Sequence, residues 1–547
     1  MKKLLNTIII SALSAVVILP LGSCTKKIDE AFANPNALVK QPIESLLPGV
    51  QASMLVSASA NGSLYGVQRD LLYIGRFVQF WATSSPGNRQ DQMGDFYGTT
   101  SPDLMGDIWA MQYYGHGQNI SRIIQWGTEQ KKWDYVGVAQ AIRAWGWMTT
   151  TDVTDDLILR EAFRPEQLVF KYDSQSDVYD EVINLSRAAL VNLSRTDDSV
   201  SQANLLKGDL YMNGGDMNKW RKFVYAVMAK TFHRTTNKSI YQPDSVIKYC
   251  NLAMQTNAEN TSYTWSNAGP AGTFSFYSPF RGNVGGLRQT KFISDLMSGL
   301  NTQFPTATID PRASYIIREN PNGTYKGIRP NRGGTGIALG DSSDNFFGGR
   351  YITTIASNDL NARYIFRNAP IWPIISASEI QFVKAEALFR KGDKPGALAA
   401  YINAINLNFD QLISNYETTV PVARRITPAA ISAFFANPIN VPTANNLTLS
   451  HIMMQKYIAL YGWGGVETWV DIRRYHYTDI DPITGQQVYR EFAPPTGLDL
   501  WPNNNGKWIY RQRPRFNSEY LYNIAELDRL GARTNDYITK ECWFSKN

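Results

Sequence analysis

Cysteine is scarce in this chain. There are 3 in 547 residues, Cys24, Cys250 and Cys542. That excludes a disulfide framework, and no CxxC spacing marks a zinc site. One bond between Cys250 and Cys542 and two buried free thiols are both open readings. Histidine is scarce too. His116, His233, His451 and His476 are the four, and none is spaced as HExxH or as another i, i+4 metal pair. A Gly-x-Ser-x-Gly elbow, a glycine-rich phosphate loop and a Gly-x-Gly-x-x-Gly turn before a helix are also missing. The net charge is +7, part of it from Lys2 and Lys3. No basic run accompanies it, so nucleic acid is not an expected partner. Beyond the first twenty residues no stretch is long and apolar enough to span a bilayer.

What is present begins at the N-terminus. Lys2 and Lys3 precede an apolar run from Leu4 to Leu19, and Pro20 cuts it. A charged start and a short apolar run make a secretory leader, residues 1–23, and not a spanning helix. Leu21-Gly22-Ser23-Cys24 resembles a bacterial lipobox. Cys24 is then the lipidated first residue of the mature chain, which is anchored to a membrane and does not cross it. Residues 24–40 read as lipidated cysteine and polar tether. Lys26, Lys27, Asp29 and Glu30 resemble the surface-export signals of Bacteroidetes lipoproteins, although the acidic pair sits a few residues late.

Helical periodicity dominates much of the rest. Val138, Ile142, Trp145 and Thr149 share one face. Val178, Val182, Leu185 and Ala189 mark a second helix, with Asp177 as its expected N-cap. Trp220, Phe223 and Val227 mark a third, beside the turn Asn213-Gly214-Gly215-Asp216. From Ser378 to Lys391, Phe382, Ala385 and Phe389 form one face. Gly392 ends that helix, Asp393 caps the next and Pro395 suits its first turn. Small residues at Ala385, Ala387, Ala397, Ala400 and Ala404 let two helices approach closely. The pair resembles a tetratricopeptide unit, and a generic helical hairpin is the alternative. Between about 255 and 375 the periodicity fades into Gly, Pro, Asn and Ser, which reads as long ordered loops with short strands.

Aromatic residues are abundant, at 12%. Tyr263, Trp265, Phe274, Phe276, Tyr277 and Phe280 fall in the Gly/Pro-rich loops, as do Phe346 and Phe347. Trp81, Phe96 and Tyr97 flank the polar segment Ser84 to Gly94. A sugar presents an apolar C–H face on which such rings stack. Core rings that anchor loops are the alternative, and the commoner one residue by residue. Asp152, Asp155 and Asp156 cluster near a helix end. A solvated turn is the expected reading, and a structural calcium site the other.

Taken in order, several segments resemble the SusD/RagB-type outer-membrane lipoproteins, in a divergent branch. They are Asn34-Pro35-Asn36, Ala139 to Trp145 with Thr151-Asp152, Asp209-Leu210-Tyr211 with Trp220 to Phe223, and Ser378 to Ala387. Gln455 to Leu460 with Glu467, Trp469, Asp471, Arg473 and Arg474 is the strongest piece. Arg513-Pro514-Arg515-Phe516 with Glu519 and Asn523 closes the series. One departure stands out: Val153 to Asp156 replaces the Tyr-Gly-Asp-type turn usual in the family. The resemblance implies a mainly α fold in which tetratricopeptide-like helix pairs form a scaffold under a loop-rich ligand face. Residues 41–547 would form one such domain. It implies a surface lipoprotein of the outer membrane, not an enzyme and without a cofactor. Such a protein binds a glycan or oligosaccharide and hands it to a TonB-dependent, SusC-like barrel. Starch-binding members use exposed aromatics, so Trp81, Phe96, Tyr97, Tyr263, Trp265, Phe274, Phe276, Tyr277 and Phe280 are the candidate ligand contacts. A peptide or other nutrient, a surface glycoside hydrolase and a purely structural scaffold are the competing readings. Asp471, Arg473 and Arg474 are expected to pair or cap inside the scaffold, and Glu379 and Glu386 to be solvated or to cap.

Overall fold

In the computed structural model, residues 40–56, 65–164, 166–265, 275–277, 281–337, 343, 345–348 and 359–547 are described. The expected leader (1–23), Cys24 and most of the expected tether (24–40) lie outside them, as do Phe274 and Phe280. The fold is mainly α, as the periodicity implied.

The N-terminal part contributes α1 (Ile43–Ala52), α2 (Val67–Phe77), β1 (Trp81–Thr83), α3 (Gly117–Glu129), α4 (Trp133–Thr154) and α5 (Gln175–Leu193). Next come α6 (Met217–His233), α7 (Pro243–Leu252), β2 (Thr261–Thr264), β3 (Leu287–Gln289), α8 (Lys291–Met297) and β4 (Ile371–Ile375). Then follow α9 (Ala377–Lys391), α10 (Lys394–Tyr416), α11 (Pro428–Ala436), α12 (Leu449–Ala459) and α13 (Gly465–Arg474). The principal packed pairs are α4 with α5, α6 with α7, and α9 with α10. Adjacent pairs also touch, through α5 with α6 and α7 with α9. This is a stack of tetratricopeptide-like helix pairs, each covering the apolar face its neighbour exposes. Among the described residues no helix is long and apolar enough to cross a membrane.

The junction of α9 and α10 shows why the sequence pattern works. Gly392 adopts φ +89°, where a Cβ costs about 1–2 kcal/mol. Its N–H and that of Asp393 return to the carbonyls of Phe389 and Leu388, both at 3.0 Å. Asp393 then accepts the N–H of Gly396 at 2.9 Å and starts α10. Ala385, Ala397, Ala400 and Ala404 are buried between the two helices. The N-cap of α5 is Ser174, which accepts from the N–H of Asp177, so Asp177 sits in the first turn instead of capping it. Ser174 has the extended backbone that a cap needs, and the apolar spacing could not locate it.

Strands are few and short. β1 pairs antiparallel with β3, Trp81 opposite Gln289, and β2 pairs antiparallel with β4. Both ladders tie loops of the 255–375 stretch onto the scaffold. Cys250 and Cys542 are buried free thiols.

Five helices share a buried ionic network. Asp152 pairs with Arg234 at 2.9 Å, and Arg234 with Glu467 at 2.5 Å. Glu467 also holds Lys230 (3.2 Å) and Lys456 (3.0 Å), and Lys230 reaches Glu379 at 2.6 Å. Lys456 continues to Asp471 (2.8 Å), which pairs with Arg474 (2.7 Å), and Arg474 pairs with Glu386 (2.8 Å). Glu386 takes Arg390 at 3.0 Å and the ring of His233 at 2.8 Å. Five carboxylates thus meet five lysines and arginines. Burial alone would raise the pKa values of Glu467 and Glu386, yet Arg234 and Arg474 hold them well below the usual carboxylate range. Burial pushes His233 down to about 4, so it is neutral at pH 7. Glu379 and Glu386 are therefore core groups and not solvated ones. Arg474 pairs with Asp471 as expected, whereas Arg473 bonds the carbonyls of Tyr510 and Asp152 (both 2.7 Å) and lies over Trp469.

Candidate functional site

The loops gather into one hub beside the scaffold. Arg76, from α2, donates to Asn88 at 2.6 Å and faces Asp91 at 3.7 Å. Asp91 accepts the N–H of Thr83 at 2.9 Å, which fixes the loop following β1. Burial raises the Asp91 carboxyl to about 6, although Arg76 and the Thr83 amide pull it back. Gly87 then donates to Asn331 at 3.0 Å, and Asn331 donates to Asp499 at 3.0 Å. Arg332 completes the knot on Asp499 at 2.6 and 3.1 Å. Gly333 sits at φ +54°, with the carbonyl of Ser84 2.4 Å from where a Cβ would stand, so only glycine fits this crossing. Three loops distant in sequence are joined: 84–94, 329–337 and 491–501.

Two of them, 329–337 and 491–501, enclose with α8 a cleft of about 920 Å³, open to solvent, while 84–94 braces the first of the two from behind. α8 forms one wall with Lys291, Phe292 and Asp295. Arg329, Arg332 and Thr335 form another, and Glu491, Pro494, Pro495 and Asp499 the third. Lys291 pairs with Asp295, and Arg332 with Asp499. Glu491 accepts the N–H of Thr302 at 3.2 Å. Among the described residues Arg329 makes no ion pair, and it is exposed. Gln79, Asn331 and Glu491 all have positive φ (56°, 61° and 66°), a conformation non-glycine residues adopt at some cost. Backbone strain of this kind collects where binding needs a set geometry. Beside the cleft, Arg89 lies 4.1 Å over the half-buried ring of Trp501, whose N–H backbone group bonds Gln92 at 2.8 Å.

The aromatic candidates fall elsewhere. Trp81, Tyr263, Trp265, Phe276 and Tyr277 are core side chains and present no open ring face to a sugar. Trp81 donates its indole N–H to Leu72 at 2.9 Å and meets Tyr277, Phe346, Phe366 and Tyr461 edge-on. Phe346 stacks on Phe366 at 4.1 Å, and Tyr263 packs between Tyr211 and Trp265. These rings hold the loops down, which is the core alternative. Phe96 and Tyr97 are half-buried. Tyr97 lies under Arg513 at 4.1 Å and Phe96 against Tyr73, beside a gap of about 20 Å³ that holds no more than a water. The acidic cluster is not a solvated turn. Asp152 pairs with Arg234, and Asp155 with Arg511 at 2.9 Å while accepting the N–H of Trp543. Burial and the neighbouring Asp155 charge push Asp156 up to about 6. Among the described residues no group of three or more His, Cys, Asp or Glu is arranged to hold a metal ion. Sequence reading passed over Arg329, Arg332, Glu491, Asp499 and Trp501. The Pro-rich stretch from Pro494 to Pro502, with a tryptophan inside it, was the available signal.

Known proteins place this architecture. Residues 35–495 match the SusD-like family described as starch-binding and associating with the outer membrane. The chain belongs to the SusD-like family. Its members are outer-membrane-associated binding proteins. No curated protein matches the chain. Among solved structures, a SusD/RagB family protein of Bacteroides thetaiotaomicron is 17% identical at a TM-score of 0.67, covering 92% of this chain and 99% of that one. A SusD homologue of Bacteroides fragilis is 17% identical at 0.64, covering 93% and 100%. A chitin-binding SusD homologue of Flavobacterium johnsoniae is 16% identical at 0.62, covering 92% and 99%. At these identities the likeness establishes the fold.

Proposed function

We propose that this SusD-like protein is a lipid-anchored receptor, held by Cys24 on the outer face of the outer membrane. It captures an oligosaccharide in the cleft and passes it to a TonB-dependent barrel without chemical change. The cleft carries the reading. Its volume lies in the range of small-ligand sites, and donors and acceptors from α8 and from the 329–337 and 491–501 loops converge on it. Support from relatives comes through the chitin-binding homologue and a second chitin-binding protein, 19% identical at a TM-score of 0.67. The six ionisable side chains of the wall support a second reading, a charged nutrient such as a peptide.

Calorimetry tests the pair. Chitin and starch oligosaccharides and short peptides are titrated into the mature protein and into Thr335→Trp, in which an indole occupies the cleft mouth. Oligosaccharide heat that vanishes in the variant supports the proposal. Peptide heat alone transfers the role to peptides, and released product sugars would make the protein an enzyme. Affinity purification from solubilised outer membrane, with mass spectrometry, tests delivery: recovery without a barrel defeats that part.

A further inference from the structure

The helix that walls the cleft has a second hollow behind it. Lys291, Phe292 and Asp295 of α8 face the cleft, while Leu296 and Met297 line a separate pocket of about 270 Å³. Phe304 and Phe434 contribute ring surface, and Ala433 of α11 stands at the exposed rim. The loop after α8 is pinned back across the pocket, since the N–H of Asp310 bonds the carbonyl of Met297 at 2.8 Å.

The pocket differs from the cleft in charge. Among the described residues Asp310 is the only ionisable side chain on its wall, and Arg312 neutralises it with contacts of 3.0 and 2.7 Å. Arg312 is fully buried between Phe409 (5.0 Å) and Phe434 (5.3 Å). Its other donors go to Asn408 at 3.0 Å and to Gln455 at 2.6 Å. The remaining polar wall is made of neutral hydroxyls and amides: Thr306, Thr308, Asn437, Asn440 and Gln455. Gln455 is itself almost wholly buried.

We infer that this pocket is a second binding site that takes one neutral, ring-sized amphipathic group, a single uncharged sugar unit. Its size falls just under the roughly 300–1,000 Å³ of sites for larger ligands, so an extended chain does not fit. A sugar ring has a C–H face for the apolar part of the wall, where Leu296, Phe304 and Phe434 are mostly buried and keep only a small part of their surface open, too little for full ring stacking, and hydroxyl edges for the polar side chains. An ionic ligand would lose water and find no free counter-charge. Only the choice of a sugar rests on the glycan reading of the cleft; the pocket stands on its own walls.

Saturation-transfer NMR on the mature protein tests it, with glucose, N-acetylglucosamine and glucuronate as probes. Ala433→Trp fills the hollow from the solvent side, and Thr308→Trp repeats the test if that variant does not fold. Thr335→Trp blocks only the cleft. The neutral sugars are expected to give transfer that either pocket variant removes and Thr335→Trp preserves. Glucuronate is expected to bind about tenfold more weakly or worse, the penalty of an unpaired buried charge. No transfer from either neutral sugar overturns the inference, as does transfer that survives both pocket variants or equal binding of glucuronate. Transfer lost only in Thr335→Trp would assign the sugar to the cleft and leave the pocket empty of function. A pocket signal that persists while no oligosaccharide binds the cleft would defeat the delivery proposal alone.

Discussion

The helical scaffold and the loop face handle charge in opposite ways. In the scaffold, Glu467 is buried and touches Arg234, Lys230 and Lys456 at once. On the loop face, Asp499 holds the largely exposed Arg332, and Arg329 has no acid partner among the described residues. Buried charges must be matched and hydrogen-bonded, because water cannot solvate what is left over. Charges on an open wall can be left for a ligand, because water solvates them meanwhile. The same residue types thus lock helices in one region and remain available in the other.

The sharpest way to break this comparison is Glu467→Ala. It leaves three buried cations facing an empty site, and a loss of about 3–5 kcal/mol in urea unfolding is expected. A loss under about 1 kcal/mol would mean that the network does not hold the helices. Next in size is a pH effect at Asp91. Burial lifts its folded pKa to about 6, above the roughly 3.9 of an unfolded chain. The folded state therefore keeps its proton longer, and the stability this gives is full below pH 4 and lost as pH rises through 6. Asp91→Asn removes that dependence. Its stability relative to the wild type should rise by on the order of 2–3 kcal/mol between pH 4 and pH 7. Thermal melts across that range check it, and a constant difference would contradict the buried, costly carboxylate.

Smaller effects refine the picture. Gly392→Ala should cost about 1–2 kcal/mol at the α9–α10 turn, because φ +89° strains any Cβ. An unchanged melting temperature would show that the turn adjusts freely. Smallest is Asp499→Ala, which deletes an acid just as Glu467→Ala does but at an exposed pair. Its stability cost should stay under about 1 kcal/mol, while oligosaccharide binding weakens because the 329–337 loop loses its anchor. A stability loss matching that of Glu467→Ala would erase the distinction between the two regions.

Local chemistry carried much of the fold into the sequence. Gly392, Asp393 and the alanines of α9 and α10 state a close helix pair without outside help, since φ, capping and side-chain size act over a few residues. The ordered segments from Ala139 to Asn523 pointed to the family for the same reason: each marks a packed helix or turn. The candidate site did not yield to such reading. A tryptophan such as Trp81 looks the same in sequence whether it stacks on a sugar or on Tyr277 and Phe346, and only the packing of loops hundreds of residues apart decided for the core. Glu386 and Glu491 are equally plain glutamates. One is buried beneath Arg474 and His233, the other stands in a cleft wall, because burial and partners are properties of the assembled chain. The sequence by itself determined the helices, their caps and the family to which they belong. Tertiary structure alone decided which charges are locked together and which are left facing an open cleft, since that depends on distances between residues far apart in the chain.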